Sequence, residues 1–333
     1  MKKIIIAVLG LLAIAGGALF YLDRTEVLPI ALPDAKPSAA ASPQALFMRD
    51  PGRGENRIWR FGGSDSPTSI DTQGAGSEWT ALAFAIGGWG AGGEGLVLWR
   101  HEKGELRLWR LGADGRLVSS DAVPYTGDEW RVVAVVDADG DRDVDLVWSN
   151  RTGELAVWTL DEGKVLAKGV VGRVMPDGAL AQAGDFDGDG RAELFVRNGA
   201  RGVNELLALD GTRRATARRI AGAGPEWTLI GTGRLDAEPG DDLLWRSLSG
   251  QLVGWSGTDA TRPIAIPRAA VPGWDFLGLV DIDADGRSEL LWRQSQGNLA
   301  GAWRLAAGNT IVDVKLPLLP AGWTSVPLGF VQP

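Results

Sequence analysis

The segment GDFDGDGRAELFVRN, residues 184–198, runs from an acidic loop directly into an apolar stretch. Its acidic side chains occupy positions 1, 3, 5 and 9 of the loop: Asp185, Asp187, Asp189 and Glu193. Gly190 stands at position 6, where a tightly bent chain often needs a left-handed residue. Calcium prefers about six to eight oxygen ligands, most of which these side chains and a nearby backbone carbonyl can supply. The loop is therefore predicted to hold calcium beside a β-strand.

The pattern recurs in DIDADGRSE, residues 281–289, and in DADGDRDVD, residues 137–145. The corresponding acidic residues are Asp281, Asp283, Asp285 and Glu289 in one copy, and Asp137, Asp139, Asp141 and Asp145 in the other. A fourth copy, residues 234–242, has Arg234 in place of the first ligand, so we expect it to lack calcium and to use that guanidinium as an internal counter-ion. A single loop of this kind is equally typical of an acidic surface turn. Three related copies favour calcium binding, at about three sites.

The composition points to an all-β protein. The chain has 333 residues, is 45% hydrophobic and carries a net charge of -8. Its 47 glycines and 15 tryptophans, against 3 methionines, are typical of tight turns and aromatic-rich strands. There is no cysteine, which excludes disulfides and thiolate metal sites. The acidity argues against nucleic acid as a partner.

An uncharged apolar stretch, residues 4–22, follows two lysines at the N-terminus. As a helix it would span roughly 28 Å, close to the thickness of a bilayer's hydrocarbon core. We therefore expect export to the periplasm or the extracellular space. Residues 1–24 would be an anchor in the cytoplasmic membrane or, because positions 16–18 offer a small-x-small site, a cleaved signal peptide. Residues 25–44, rich in Pro and Ala, are interpreted as a linker.

Similar apolar segments begin about every 48 residues, at Leu46, Val97, Leu146, Leu194, Leu243 and Leu290. Each is followed by a second apolar run, a less regular third stretch, and a fourth run that usually opens on tryptophan. Four short strands per unit and about six units across residues 45–333 predict a β-propeller with six four-stranded blades, with a seven-bladed ring as the alternative. Tryptophans at equivalent positions favour packing between blades, and a lectin-like aromatic shelf is the other interpretation.

The two ends of the chain predict how the ring closes. The first unit lacks an acidic loop before Leu46, and the chain ends just after a strand near Trp323. If each acidic loop joins the innermost strand of a blade to its second strand, this last strand has no blade of its own. We therefore expect it to complete the blade begun by residues 45–70, which leaves no open sheet edge.

The acidic loops that run into LLWR or LFVR resemble the FG-GAP or VCBS-type repeats of integrin α-subunit propellers and of many exported bacterial proteins. The resemblance covers nearly all of residues 45–333, with good matches at 137–145, 185–193 and 281–289 and a poor match at 234–242. It implies calcium on the lower face of the propeller and a ligand on the upper face. Such propellers serve in adhesion, in carbohydrate binding and as accessory domains of secreted enzymes, so the resemblance fixes no single activity.

The first apolar run of five units ends on arginine: Arg49, Arg100, Arg197, Arg246 and Arg293. In a closed ring these would form a cationic circle at the mouth opposite the acidic loops, suited to a carboxylate, sulfate or phosphate. The hypothesis is that this upper face binds a protein or an acidic carbohydrate. The other interpretation pairs each arginine with an acidic residue of a neighbouring blade, such as Glu105, Glu154 or Glu205.

No catalytic residues are predicted. The single histidine, His101, has no candidate nucleophile, because the sequence contains no serine in a nucleophile-elbow motif. The sequence also lacks the His and Cys ligands that a catalytic zinc needs. We interpret the chain as an exported, calcium-stabilised propeller that acts as a binding, adhesion or scaffold module at the cell envelope, and not as an enzyme. Two alternatives stay open. One is a secreted carbohydrate-active enzyme, a polysaccharide lyase or glycosidase that uses carboxylates, and the other is a structural component of an envelope assembly.

Overall fold

The computed structural model describes residues 45–86, 95–124, 129–161, 163–175, 177–257, 262–306 and 310–329. The chain divides into two compact units, Met1–Lys36 and Pro37–Pro333, and every described residue belongs to the second. The membrane segment and linker predicted for residues 1–44 therefore lie outside the described residues. Within the described part of the chain, no helix is long and apolar enough to cross a membrane.

The described residues contain 24 β-strands in six four-stranded antiparallel sheets. From the innermost strand outward, blade 1 consists of β24 (Thr324–Ser325), β1 (Ala45–Asp50), β2 (Glu55–Arg60) and β3 (Thr68–Thr72). Blade 2 consists of β4 (Trp79–Ile86), β5 (Gly95–His101), β6 (Leu106–Leu111) and β7 (Leu117–Val123), and blade 3 of β8 (Trp130–Val136), β9 (Asp145–Asn150), β10 (Glu154–Asp161) and β11 (Lys164–Arg173).

The second half of the ring has the same strand order. Blade 4 consists of β12 (Ala179–Gly184), β13 (Glu193–Asn198), β14 (Val203–Ala208) and β15 (Thr216–Ile220). Blade 5 consists of β16 (Trp227–Gly233), β17 (Asp242–Ser247), β18 (Leu252–Trp255) and β19 (Pro263–Ala265). Blade 6 consists of β20 (Trp274–Val280), β21 (Glu289–Gln294), β22 (Ala300–Ala306) and β23 (Thr310–Lys315).

The six sheets form a closed ring. The innermost strands of consecutive blades contact one another from β4 through β8, β12, β16 and β20 to β24, and β1 contacts β4. The prediction of an all-β propeller with six four-stranded blades is therefore confirmed.

The C-terminal strand closes this ring without a covalent link. β24 pairs with β1, so that Met48 faces Ser325 and Arg49 faces Thr324. Blade 1 thus combines the first and last strands of the described chain, as the positions of the acidic loops predict. The closure removes the sheet edge that an incomplete blade would expose.

Burial explains why some strands are easier to recognise in the sequence than others. The second strand of each blade is buried on both faces, and residues 194–196 of β13 read as a continuous apolar run, LFV. The outermost strands are largely solvent-exposed, and β15 is exposed at four of its five positions. The less regular third stretch of each repeat is this outer strand, which has no buried face to impose a pattern.

The hydrophobic core is divided into six clusters, one at each junction between blades. Tryptophans of the second and third strands pack against each other within a blade, with ring centroids 4.6–5.0 Å apart: Trp99 with Trp109, Trp148 with Trp158, Trp245 with Trp255 and Trp292 with Trp303. The second-strand member of each pair is almost fully buried. These rings therefore fill the space between blades.

The innermost strands share a local irregularity. Five of the six carry a β-bulge at the same place, between Ala81 and Ala83, Val132 and Ala134, Leu180 and Gln182, Leu229 and Gly231, and Phe276 and Gly278. The sixth, β24, has only two residues. A bulge bends its strand and increases the local twist, so these five innermost strands share the same curvature around the central channel.

Candidate metal centre

Four acidic loops connect the innermost strand of a blade to its second strand. Loop A (residues 137–145) follows β8, loop B (185–193) follows β12, loop C (234–242) follows β16 and loop D (281–289) follows β20. Because the innermost strands of a propeller run in the same direction, the four loops lie at one end of the ring. Blade 1 has no such loop, because its innermost and second strands come from opposite ends of the chain.

Three of these loops bring carboxylates close enough to share a cation. One oxygen of each member lies within 4.8 Å of the others in three groups: Asp137, Asp139 and Asp145; Asp185, Asp187 and Glu193; Asp281, Asp283 and Asp285. Nine of the twelve predicted ligands belong to these groups, and the other three, Asp141, Asp189 and Glu289, lie in the same loops. Among the described residues, loop C provides no such group.

The carboxylate at position 1 is held by the backbone of its own loop. In loop B, Asp185 accepts hydrogen bonds from the N–H groups of Gly188 (2.8 Å) and Gly190 (3.0 Å), and Gly190 has a φ of 89°. In loop A, Arg142 takes the place of this glycine and keeps the left-handed conformation, with a φ of 83°. Such a φ costs a non-glycine residue about 1 kcal/mol or more, so the loop geometry is maintained against a local preference.

The carboxylate at position 9 is the most buried acidic residue of loops A and B. Glu193 accepts the N–H of Phe186 at 2.8 Å, and Asp145 accepts the N–H groups of Ala138 and Leu160, each at 2.9 Å. Burial, reinforced by the neighbouring loop carboxylates, raises the pKa of Glu193 and of Asp145 to about 8. A buried negative charge without a cation is unfavourable, so both groups favour the protonated form near neutral pH.

Loop D differs from loops A and B because the chain itself supplies positive charge. Arg304, on β22, places its Nε 2.9 Å from Asp283 Oδ2 and 3.2 Å from Glu289 Oε1. Arg287 forms a 2.8 Å ion pair with Asp285, and although burial alone would raise the pKa of Asp285, these hydrogen bonds lower it. Loop D therefore contains carboxylates close enough to share a cation, together with two guanidinium groups.

Loop C has positive charge nearby from two arginines, Arg262 and Arg234. Arg262 places its Nη2 2.7 Å from Asp236 Oδ2. Arg234 acts on Asp241. Burial and the charge of Asp185 raise the pKa of Asp241 to about 7, and the positive charge of Arg234 lowers this pKa in part. Arg234 therefore stabilises one carboxylate of the loop in its charged form, and Arg262, which the sequence pattern does not single out, forms the ion pair at Asp236.

The four loops are connected by backbone hydrogen bonds between blades. The N–H at position 8 of one loop donates to the carbonyl at position 1 of the loop in the preceding blade: Ala192 to Asp137 (2.8 Å), Asp241 to Asp185 (2.6 Å) and Ser288 to Arg234 (2.5 Å). The side chain of a position-1 aspartate therefore faces its own loop while its carbonyl holds the next blade. The sequence signal for this link is only the constant spacing of the loops.

At the opposite end of the ring, Arg49 ties blade 1 to blade 2. Its guanidinium donates to Asn56 Oδ1 and to the carbonyls of Gly76 and Trp79, each at 2.8 Å. The same group lies over the ring of Trp99, 4.7 Å from its centroid. Burial lowers the pKa of Arg49, but the side chain keeps its polar partners.

Arg197 makes the same set of contacts between blades 4 and 5. It donates to Asn204 Oδ1 (3.0 Å) and to the carbonyls of Gly224 (2.8 Å) and Trp227 (3.1 Å), and it lies 4.9 Å from the centroid of Trp245. The two junctions share the sequence GAG-x-EWT, at 74–80 and 222–228. This match relates the two halves of the ring, and it is the signal in the sequence that could have revealed these contacts.

The remaining arginines of the predicted circle are less uniform. Arg293 donates to the carbonyl of Trp323 and joins blade 6 to blade 1, whereas Arg100 is exposed and Arg246 half-buried. Two of the acids named as partners pair elsewhere, Glu105 with Arg107 and Glu154 with Arg173. Ligand binding by the five arginines stays a prediction, and Arg49, Arg197 and Arg293 already hold backbone carbonyls of the next blade.

His101 has a structural environment. It is the last residue of β5, its Nδ1 accepts the N–H of Lys103 at 3.1 Å, and its ring packs edge-on against Trp79 with centroids 4.8 Å apart. These contacts place it at the end of a strand, beside a turn.

The fold and the loops together define a six-bladed β-propeller with repeated carboxylate sites. Residues 137–196, which include loops A and B, match the model of the FG-GAP-like repeat. The match confirms the predicted resemblance for this part of the chain. No curated protein matches the chain.

Solved structures with a similar fold include one named as a lectin and one named as a gluconolactonase. The SapL1 lectin in complex with alpha methyl fucoside is 14% identical over 86% of this chain and 97% of its own, with a TM-score of 0.46. AofleA from Arthrobotrys oligospora is 11% identical over 89% and 92%, with a TM-score of 0.49. The periplasmic gluconolactonase PpgL of Pseudomonas aeruginosa is 15% identical over 87% and 85%, with a TM-score of 0.46. At these identities the similarity concerns the fold alone.

Proposed function

We propose that the protein is an exported, calcium-stabilised β-propeller that binds a protein or an acidic carbohydrate outside the cytoplasm. In this proposal it is a binding or scaffold module of the cell envelope and not an enzyme. The observation that carries the proposal is the recurrence of a three-carboxylate group at the same place in three blades. One such group would be an acidic turn, whereas three at equivalent positions indicate a common ligand.

The residues fit calcium in their chemistry. The groups offer only oxygen atoms, which hard divalent cations prefer. In loop D, the buried Oδ1 of Asp281 has no hydrogen-bond partner among the described residues. In loops A and B, the raised pKa values of Asp145 and Glu193 show carboxylates that lack a compensating charge. A bound calcium ion would supply that charge.

The chain would use these loops to hold one end of the ring together. Asp185 is fixed by N–H groups of its own loop, while its backbone carbonyl accepts the N–H of Asp241 in the next blade. Ordering loop B therefore also fixes the position of loop C. The same connection joins loop A to loop B through Asp137 and Ala192.

The ligand is proposed to bind at the end of the ring opposite the loops. The acidic end is occupied by loops that are bonded to one another, whereas the opposite end carries the short turns between second and third strands. Arg100 is exposed there and Arg246 is half-buried. Guanidinium groups at such positions suit carboxylate or sulfate groups of a partner.

Export is proposed from the N-terminal sequence. Residues 4–22 form an uncharged apolar stretch preceded by two lysines, which is typical of a membrane anchor or a signal peptide. Calcium concentrations outside the cytoplasm suit loops of modest affinity, since extracellular modules bind calcium with Kd values of about 0.1–1 mM.

The proposal is tested by a binding screen in calcium and in chelator. The full chain is applied to an array of acidic and neutral glycans, alongside a Glu193→Gln variant and a control, Glu238→Gln, in loop C. We expect calcium-dependent binding that Glu193→Gln weakens and Glu238→Gln leaves unchanged, because Glu238 is exposed and belongs to no carboxylate group of the described residues. Turnover of a bound glycan would contradict the binding-module assignment.

A further inference from the structure

One side of the central channel is occupied by the chain's own C-terminal segment. Beyond β24, Val326 donates its N–H to the carbonyl of Phe47 at 2.8 Å. The N–H of Phe84, on β4, donates to Pro327 O at 2.8 Å, and Gly329 donates back to Phe84 O at 2.9 Å. Leu328 forms a parallel bridge with Phe84. An extended segment thus pairs with the inner edge of a blade, which is strand addition within the channel.

The other side of the channel is a cavity of about 420 Å³. The innermost strands of blades 4, 5 and 6 and the C-terminal segment form its walls, with Gln182, Ile230, Thr232, Asp275, Leu277 and Leu328 among the lining residues. A cavity of this size lies within the range of small-ligand sites. It lies on the channel side of strands that are paired only on their outer side.

The cavity offers hydrogen-bonding groups of both kinds. β12, β16 and β20 have no strand partner on the channel side among the described residues, so their inner-edge N–H and C=O groups face the channel. One of these groups, the carbonyl of Leu277, already accepts the hydroxyl of Ser325 at 2.8 Å. The buried Oε1 of Gln182 and the buried Nε of Arg293 have no hydrogen-bond partner in the described part of the chain. Unpartnered buried polar atoms in a cavity wall point to a missing ligand or water.

We infer that this cavity binds a short extended peptide from a partner protein, which adds as a strand to the inner edges of β16 and β20. The pairing of residues 326–329 with Phe84 is the same interaction on the other side of the channel. Ile230, Leu277 and Leu328 supply apolar contacts for small side chains, and Gln182 supplies a polar one. The inference rests on the proposed function as a binding module and names the class of ligand for it.

The test uses a display library of random heptapeptides, panned against the full chain in calcium, with the enriched peptides titrated by calorimetry. Thr232→Trp fills the cavity, and we expect it to weaken binding by at least about tenfold. The matched control is Thr228→Trp, an exposed position on the same strand outside the cavity lining, which should leave binding unchanged. Gln182→Ala is a second variant that adds no bulk, and we expect it to weaken binding about threefold.

Methylation of alternate backbone nitrogens in the best peptide should abolish its binding, because a strand-paired peptide needs its N–H groups. A library that yields no binder, or binders that Thr232→Trp and methylation leave unchanged, would overturn the inference. Binding of free glucose, glucuronate or N-acetylglucosamine that Thr232→Trp blocks, in place of peptide binding, would also overturn it.

Calcium-dependent melting of the same preparations separates this inference from the proposed function. If Thr232→Trp loses peptide binding but its melting temperature still rises in calcium, the result supports the cavity as the binding site. Absence of a calcium shift in the wild-type chain counts against the proposed function, whatever the peptides do.

Discussion

Loop B and loop D carry acidic residues at the same spacing, but the positive charge near these carboxylates differs between the two loops. In loop B, Asp185, Asp187 and Glu193 lie together, and the cation at position 7, Arg191, pairs outside the group with Asp210 at 3.3 Å. In loop D, Arg304 contacts Asp283 and Glu289 directly. Among the described residues, no guanidinium forms an ion pair with the loop B group, whereas loop D carries part of its counter-charge on β22.

This difference shows that the same acidic spacing can carry different amounts of internal counter-charge. An arginine within 3.2 Å of two loop carboxylates competes with a divalent ion for the same oxygens. Burial is the main cause of the raised pKa of both Glu193 and Glu289, and Arg304 lowers the pKa of Glu289 in part. We expect loops A and B to bind calcium more tightly than loop D.

Removing calcium altogether should lower the stability of the folded protein by a large amount. A ligand at about 100 times its Kd stabilises the folded state by about 2.7 kcal/mol per site, so two occupied loops would contribute about 5 kcal/mol. Differential scanning calorimetry in calcium and in excess chelator should therefore show a melting temperature several degrees lower in chelator. Equal melting temperatures would mean that neither loop A nor loop B holds an ion.

A smaller effect distinguishes loop B from loop D through one matched pair of substitutions. Glu193→Gln should remove most of the calcium stabilisation of loop B, about 2 kcal/mol, because it takes a buried carboxylate from the group. Glu289→Gln should remove less, since Glu289 already shares its charge with Arg304 at 3.2 Å. Chemical denaturation of both variants in calcium measures the difference. Equal losses would contradict the ranking of the two loops.

Removing the internal cation should bring loop D closer to loop B. In Arg304→Gln, Asp283 and Glu289 lose their ion pair, so we expect about tenfold tighter calcium binding at loop D and lower stability in chelator. Arg262→Gln in loop C is the control, because the described residues show no three-carboxylate group there. A gain of calcium binding in the control alone would reverse the assignment of the two loops.

The calcium-free protein should also show a pH dependence of its stability. The pKa values of Asp145 and Glu193 are about 8 in the folded state and about 4 in an unfolded chain, so the folded state binds more protons between these values. In chelator, stability should therefore be greatest at low pH and fall as pH rises through 8. Calcium stabilisation should grow over the same window, because binding requires the ionised carboxylates. Melting curves from pH 5 to about 9, with and without calcium, test both trends.

Most of the fold could be predicted from the sequence because its signal is repetitive. Buried second strands such as β13 read as continuous apolar runs, and the acidic loops mark one equivalent position in each blade. The closure by β24 followed from the place where the chain begins and ends relative to these loops. The carboxylate groups could be predicted for the same reason, since their members lie within nine residues of one another.

The counter-ions could not be predicted, because they come from distant strands. Arg304 and Arg262 are 15 and 26 residues from the carboxylates that they contact, Glu289 and Asp236. Which arginine side chain turns toward an acidic loop depends on strand register and on the packing of the blades. Short sequence patterns do not determine either of these. The same holds for the path of residues 326–329 across the channel, which involves blades 1, 2 and 3.

Calcium titration of the full chain by isothermal calorimetry, beside the Arg304→Gln variant, tests whether the internal arginine weakens loop D. We predict two similar sites and a weaker third in the wild-type chain, with the third strengthened in the variant. The absence of calcium binding, or three equal sites that Arg304→Gln leaves unchanged, would contradict it.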